Sequence, residues 1–327
     1  MPRRVLVTGG SGFVGQELVR RLVAAGREVT GLARSPASAE LLRSLGAEAV
    51  PGDILDRGSL DVVMRGCDVV YHAAGVNAFC LRDPAPMFRA NVDGTRTVVD
   101  AAARASVRRV VYTSSAATLG EAAGTVGHEG SQHRGWFLSS YERSKFEAER
   151  TAVAAARRRG IELVCVNPAS VQGPGRTRGT ARLLLDLVTG RLPAVVDSRL
   201  SVVDVADCAA AHILAEERGQ PGERYVLCGA VLTTREALEL LAQVANVQLR
   251  VRFVPAWLAA AAGAGAEGQA RLRRRRARVC RELVRTLVHG HAYDGSRAER
   301  ELGLRYTPVR ASLERTLRWY ADHGYLA

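Results

Sequence analysis

Thr8-Gly9-Gly10-Ser11-Gly12-Phe13-Val14-Gly15 is the stretch that decides the fold. A short strand at Arg4–Thr8 leads into it and a helix over Val14–Ala25 leads out, so three glycines spaced by three occupy a strand-to-helix turn. Glycines permit the tight turn and the close approach of a pyrophosphate. The helix start adds free N–H groups and the positive end of its dipole. The spacing is Gly-x-x-Gly-x-x-Gly, not GxGxxG, and its context is that of a dinucleotide phosphate turn.

Outward from that turn, short apolar runs alternate with longer amphipathic segments, the pattern of βαβ units and a parallel sheet. Strands are expected at Arg4–Thr8, Glu28–Ala33, Ala47–Pro51, Val69–Ala73, Val110–Thr113 and Leu163–Val166. The clearest later helices are around Asn91–Ala105 and over Tyr141–Arg159, the latter with Ser139 and Ser140 as candidate caps. The fold class is therefore α/β, a doubly wound parallel (Rossmann) sheet. After Asn167 the alternation breaks at Pro168 and Gly173-Pro174-Gly175. This divides the chain into a dinucleotide domain, 1–166 with 197–216 returning to it, and a smaller C-terminal substrate lobe from 167–196 and 217–327. In the lobe we expect a helix at Leu183–Thr189, a strand at Leu200–Val203, a helix at Val205–Glu216 and a C-terminal helical region. Ala256–Gly268 is a low-complexity stretch of small residues.

With 327 residues, 47% of them hydrophobic, the chain can bury a sizeable core. The opening residues run straight into the glycine turn without a secretory pattern, and the apolar stretch Val254–Ala266 is short of the ~20 residues of a membrane span. A cytoplasmic protein is expected. Six dispersed cysteines with no CxxC pair suit reduced thiols better than a disulfide framework or zinc site. The net charge of +13 is scattered except at Arg271–Arg285, which reads as a solvated helix face in preference to a nucleic-acid surface. His289 and His291 form a metal fragment with no partner cluster, so no metal is expected.

Of 46 basic residues one alone is lysine, Lys145, and it stands four residues after Tyr141. Eight tyrosines in 327 residues give such a coincidence odds of roughly one in forty. On a helix the two side chains share a face. A phenol, with a reference pKa of ~10, is a poor acid-base catalyst near neutrality, and a neighbouring ammonium makes its phenolate accessible. The guanidinium fork does not replace a compact ammonium that must face a tyrosine and a ribose together. Ser115, at the end of the fifth strand, is the candidate partner for a substrate oxygen, with Ser114 competing. At the end of the second strand, where an acidic residue would bind the NAD ribose, the chain has Arg34, a fork suited to a 2′-phosphate; NADP(H) is favoured and NAD(H) remains possible. Asp53 could reach the adenine edge.

The glycine turn, Asp53, His72-Ala73-Ala74-Gly75, Asn91-Val92-Asp93-Gly94-Thr95, Thr113-Ser114-Ser115, Tyr141 to Lys145 and Asn167-Pro168-Ala169-Ser170 occur in the order found in the extended short-chain dehydrogenase/reductases. The chain resembles that family (the NAD-dependent epimerase/dehydratases) over nearly its whole length. Tyr112–Gly120 and Tyr306-Thr307-Pro308 are similar to its dihydroflavonol-reductase-like and hopanoid-associated sugar-epimerase-like branch. The resemblance implies Tyr141 as acid or base, Lys145 on the nicotinamide ribose and Ser115 on the substrate oxygen. It implies a cofactor cleft drawn from Thr8, Gly9, Ser11, Gly12, Phe13, Val14, Gly15, Arg34, Asp53, Ile54, Ala73, Ala74, Gly75, Asn91, Thr113, Tyr141, Lys145, Pro168, Ala169 and Ser170, and a homodimer. Ala116 and Ala117 replace the Asp-Glu pair of the family's dehydratases, which disfavours dehydration. Asp204 stands where histidine is common.

The leading expectation is an NADP(H)-dependent reductase of a ketone or aldehyde, or the reverse alcohol dehydrogenase, acting on a small molecule. The alternatives are a nucleotide-sugar epimerase with retained NAD, for which Arg271–Arg281 could hold a diphosphate, and a non-catalytic NADP(H)-sensing protein, which would not need Tyr141, Lys145 and Ser115 together.

Overall fold

The computed structural model describes residues 3–177 and 179–326, so the outermost ends of the expected domain ranges lie outside the described residues. The chain order begins β1 (Arg4–Thr8), α1 (Phe13–Ala24), β2 (Glu28–Ala33), α2 (Pro36–Ser44), β3 (Glu48–Pro51), α3 (Arg57–Val63) and β4 (Val69–His72). It continues with α4 (Ala85–Phe88), a π-turn into α5 (Gly94–Arg104), β5 (Arg109–Thr113), α6 (Ser140–Arg159) and β6 (Glu162–Pro168). β7 (Ser170–Gln172), α7 (Thr180–Val188), β8 (Ala194–Val195), β9 (Arg199–Asp204), α8 (Val205–Arg218), β10 (Arg224–Leu227) and β11 (Ala230–Thr233) follow. The chain ends with α9 (Thr234–Ala245), β12 (Arg252–Phe253), α10 (Ala256–Leu272), α11 (Arg281–His289) and α12 (Val309–Asp322).

Seven parallel strands form the main sheet in the order β10-β6-β5-β4-β1-β2-β3. Alternation along β1 explains the layering. Val5 and Val7 join Leu18, Leu22, Leu42 and Ala209 from α1, α2 and α8, whereas Leu6 joins Leu60, Val98 and Ala152 from α3, α5 and α6. A sheet covered on both faces needs apolar residues at nearly every position, hence Val-Val-Tyr in both β4 and β5. The strand order reverses between β1 and β4, so a crevice opens at their carboxyl ends.

The seventh strand, β10, lies within 217–327, which the sequence pattern assigns to the substrate lobe; it pairs with β6 and extends the main sheet. Around it the lobe is built from the small sheet β11-β9-β7, the pair β12-β8, and helices whose core is Leu185, Leu241, Leu317 and Tyr320. Asp204 accepts from Ala206 N at 2.7 Å to cap α8, and binds Ser312 and Arg315 of α12. The residue that departs from the family pattern thus anchors the last helix.

Two expectations fail in the lobe. Cys80 and Cys280 form a disulfide that closes a separation of 200 residues, while Cys67, Cys165, Cys208 and Cys228 are free and buried. Local spacing gives no hint of a pair made by tertiary folding. The Arg271–Arg285 run is not one helix face either: α10 ends at Leu272 and α11 starts at Arg281. Between them Arg276 donates to Phe79 O at 2.7 Å, and Arg82 donates to Arg274 O at 3.2 Å. Disulfide and arginines together fasten this connection to the loop after β4.

Candidate active site

Helix α6 carries the candidate site residues Tyr141 and Lys145. Ser139 caps it by accepting from Glu142 N at 3.2 Å, and Tyr141, Lys145 and Glu149 then recur at one-turn intervals. The Ser115 hydroxyl lies near enough to the Tyr141 phenol to act on it. Burial pushes the phenol up, while the Ser115 hydroxyl and the Arg176 charge pull it down. Ser114, the competing hydroxyl, is bonded to the buried Glu149, which also takes Asn167 Nδ2 at 2.6 Å and Thr118 Oγ1 at 3.1 Å. Of the two serines, Ser115 is the one that faces the phenol.

Lys145 is 4% exposed, and its ammonium donates to Tyr112 Oη at 2.9 Å and Thr113 O at 2.8 Å. Burial lowers its pKa to about 8, against the opposing charge of Glu149 one turn on. The ammonium is therefore anchored on β5. The charge that acts on the Tyr141 phenol is that of Arg176.

The glycine turn fits a dinucleotide by its geometry. Gly9, at φ +73°, lies so close to the loop after β4 that a Cβ would come within 2.5 Å of Ala74 N and 2.6 Å of Ala73 C. A Cβ on Gly15 would meet Gly9 O at 2.0 Å. Gly12, the N-cap of α1, has no capping side chain, and the first turn has no acidic residue, so the N–H groups from Phe13 and Val14 onward have no carboxylate competing for them. Thr8 binds His72 Nδ1 at 2.7 Å, and His72 Nε2 binds Thr95 at 2.9 Å; burial holds this histidine neutral, with a pKa near 3.

The remaining expected residues divide by what they touch. Asn91 accepts from Val76 N at 2.7 Å and donates to Ser144 Oγ at 2.9 Å, holding the loop beyond Gly75 against α6. Asp53 accepts from Leu55 N at 2.9 Å, a turn contact, and Ile54 packs against Gly94. Ala169 N donates to Leu227 O at 2.9 Å, which fixes Pro168 and Ser170 at the sheet edge. Arg34 is exposed and has no side-chain partner among the described residues. It stands immediately after β2.

Arg176 escapes the sequence pattern. It lies over the Phe13 ring at 5.4 Å, and its charge acts on Tyr141. In a chain with 45 arginines nothing marks it, although Gly173-Pro174-Gly175 just before it marks the loop. Glu282 is equally unmarked: its two carboxylate oxygens accept from Cys80 N at 2.6 Å and Ser140 N at 2.9 Å. It ties α11 to the residue preceding Tyr141. Phe79, beside the disulfide, places its ring 5.8 Å from that of Tyr141. His289 and His291 gain a third neighbour in Glu121.

Residues 5–228 match the family model described as NAD dependent epimerase/dehydratase family. The chain is 33% identical over 328 residues to a putative dihydroflavonol 4-reductase of Synechocystis sp., covering 98% of this chain and 95% of that protein. It is 34% identical over 306 residues to the 4-hydroxy-2-methyl-3-oxo-4-farnesyl-3,4-dihydroquinoline-1-oxide ketoreductase of Stigmatella aurantiaca, covering 92% and 91%. The crystal structure of PA4631, a nucleoside-diphosphate-sugar epimerase from Pseudomonas aeruginosa, superposes with a TM-score of 0.81 at 25% identity and covers 99% of each chain. No helix among the described residues is long and apolar enough to cross a membrane. Glycine cradle, Ser115–Tyr141 pair, buried lysine and these likenesses agree: the chain belongs to the NAD dependent epimerase/dehydratase family and is an NAD(P)-dependent oxidoreductase on the extended short-chain dehydrogenase/reductase plan.

Proposed function

We propose that the protein is an NADP(H)-dependent reductase of a ketone or aldehyde, or the reverse alcohol dehydrogenase. The observation that carries this reading is the placement of the Ser115 hydroxyl where it acts on the Tyr141 phenol, with Lys145 buried one helical turn on. The nicotinamide, when bound, supplies or accepts the hydride. Ser115 donates to the carbonyl oxygen and orients it, and the Tyr141 hydroxyl delivers the proton to that oxygen. The Lys145 ammonium holds the nicotinamide ribose and favours the phenolate left behind. Phe13 through Gly15 and the start of α1 hold the pyrophosphate, and Arg34 pairs with the 2′-phosphate. Residues 167–196 and 217–327, apart from β10, cover the substrate. The working unit is a cytoplasmic homodimer.

The test is a carbonyl panel with NADPH and NADH. Tyr141→Phe should lower kcat by ~10²–10⁴-fold with little change in nucleotide affinity. Arg34→Ala should raise the KM for NADPH at least tenfold and leave that for NADH within about twofold, a discrimination of at least ~1 kcal/mol. Full activity in Tyr141→Phe would refute the hydride reading, and equal losses for both nucleotides would refute the role of Arg34.

A second reading, a nucleotide-sugar epimerase, is favoured by the arginines that reach the Phe79 loop beside Tyr141. Such an enzyme retains NAD through turnover. Release of one NAD per chain on denaturation, with no net NADPH oxidation by any carbonyl, would select it.

A further inference from the structure

Outside the hydride site, two segments meet at a cluster of three ionisable side chains. Glu121 follows the turn that begins at Ser115, and His289 and His291 flank Gly290 at the end of α11. The backbone reverses at Gly290, at φ +65°, where a Cβ would meet Ser198 Oγ at 2.5 Å. Both imidazoles therefore turn to one carboxylate: His291 Nδ1 lies 2.5 Å and His289 Nε2 lies 3.5 Å from Glu121 Oε1. One donor atom from each residue lies within 4.8 Å of the other two.

The hydrogen bond from His291 to Glu121 accounts for only part of this grouping. The Glu121 and His289 side chains are 1% and 5% exposed, yet Glu121 Oε2 and His289 Nε2 have no hydrogen-bond partner. A buried polar atom left unpaired costs ~1–3 kcal/mol, and here two such atoms belong to the same cluster. His291 Nδ1, by contrast, is shared between Glu121 and Tyr293 Oη at 2.9 Å. A cation among these donors would take up the idle lone pairs. Ligands at ~2.0–2.2 Å in a tetrahedron stand about 3.3 Å apart, which small side-chain shifts reach from the separations here. Two imidazoles and a carboxylate suit zinc-class ions, whereas calcium and magnesium prefer all-oxygen shells. His291, 19% exposed, leaves a route for entry and for a water as fourth ligand.

We propose that Glu121, His289 and His291 form a site for a divalent transition metal of the zinc class, which fastens the end of α11 to the segment following Ser115. It works as a second clamp on α11, whose beginning is already held by the Cys80–Cys280 disulfide and Glu282. It shares no side chain with Ser115, Tyr141 or Lys145.

The full-length protein, stripped with a chelator and dialysed, should bind one Zn²⁺ per chain, and Co²⁺ at the same site should give the visible d–d bands of a four- or five-coordinate ion. Zn²⁺ should also raise Tm. Glu121→Gln and His289→Gln should each weaken Zn²⁺ by more than the ~10–100-fold that loss of an outer partner costs, with nucleotide binding unchanged as the check on folding. X-ray absorption on the zinc-loaded native protein should show nitrogen and oxygen neighbours with imidazole scattering, and it decides the matter even if a variant fails to fold. Failure to bind a stoichiometric ion, sulfur ligation, or variants that bind as the native protein does would each overturn the site.

Discussion

The two ends of the molecule are held by different physics. The dinucleotide half is held by burial: β1, β4 and β5 are apolar at nearly every position, and backbones there approach so closely that Gly15 has no room for a methyl group. The α10–α11 region is held by discrete fastenings. Trp257, Leu272 and Leu287 remain exposed, and the attachments include the Cys80–Cys280 disulfide, the Glu282 bridge, the Arg276 bond to Phe79 and the Glu121 cluster. Close packing leaves the glycine turn after β1 little room to move. Point fastenings allow a covering segment to vary in sequence, or to loosen, without disturbing the sheet.

The strongest way to break this contrast is at Gly15. Gly15→Ala puts a Cβ 2.0 Å from Gly9 O, backbone against backbone, with no flexible neighbour to yield. Overpacking of this kind should cost about 3 kcal/mol or more. A cost borne by the phosphate turn should weaken nucleotide binding ~100-fold, read by titration of NADPH fluorescence. Tight binding by this variant would mean that the turn is not packed as described.

Next in size is the covalent fastening. Cys80→Ser, or reduction of the native protein, should cost about 2–4 kcal/mol. Its signature is location: amide exchange in α11 should accelerate, while exchange in β1 and β4 stays unchanged. Uniform acceleration would show that α11 is part of the core and not a fastened cover. Disulfides are rare in reducing compartments, so in the cytoplasm this fastening would be subject to opening by thiol exchange.

A third effect is smaller and depends on pH. The buried Lys145 has its pKa lowered to about 8 from an ordinary value of 10.5. Between those values the unfolded chain binds the extra proton and the folded one does not, so this group's contribution to stability rises with pH there. The cost of a buried ammonium is fully present below pH 8. In urea unfolding without nucleotide, native stability relative to Lys145→Met should therefore increase from pH 8 to 10, by on the order of 2 kcal/mol. A flat difference would show that the ammonium is well solvated.

How much of this was legible follows from the same contrast. Periodicity announces the β1–α1 turn because parallel strands covered on both faces need unbroken apolar runs, and a lone lysine marks Tyr141 because every other cation is arginine. β10 was hidden because Arg-Tyr-Val-Leu is too short to distinguish from a lobe strand. Cys80 with Cys280, and Glu121 with His289 and His291, were hidden because their partners are brought together across most of the chain by the tertiary fold alone. Arg176 and Glu282 carry no local signature at all. Interactions set by period or rarity can be read along the chain, and those set by long-range docking cannot.

The smallest expected effect separates fastening from packing inside one helix. α10 contains Gly263, Gly265 and Gly268, alike in sequence. A Cβ on Gly263 would meet Val284 Cγ2 at 2.8 Å and Cys280 C at 3.4 Å, so this glycine lets α10 lie directly on α11 beside the disulfide. At Gly265 and Gly268 nothing lies within 4 Å, and both are exposed. A helical glycine with free space around it costs roughly 0.5–1 kcal/mol relative to alanine. Gly265→Ala should therefore stabilise the protein by about that much, whereas Gly263→Ala should destabilise it by about 1 kcal/mol or more through the α10–α11 contact. Thermal unfolding of the two variants with the disulfide intact measures the pair. Opposite signs support a cover attached at points, with one close contact at Gly263. Equal stabilisation would mean that even this contact is loose, and that α11 is held by its point fastenings without close packing.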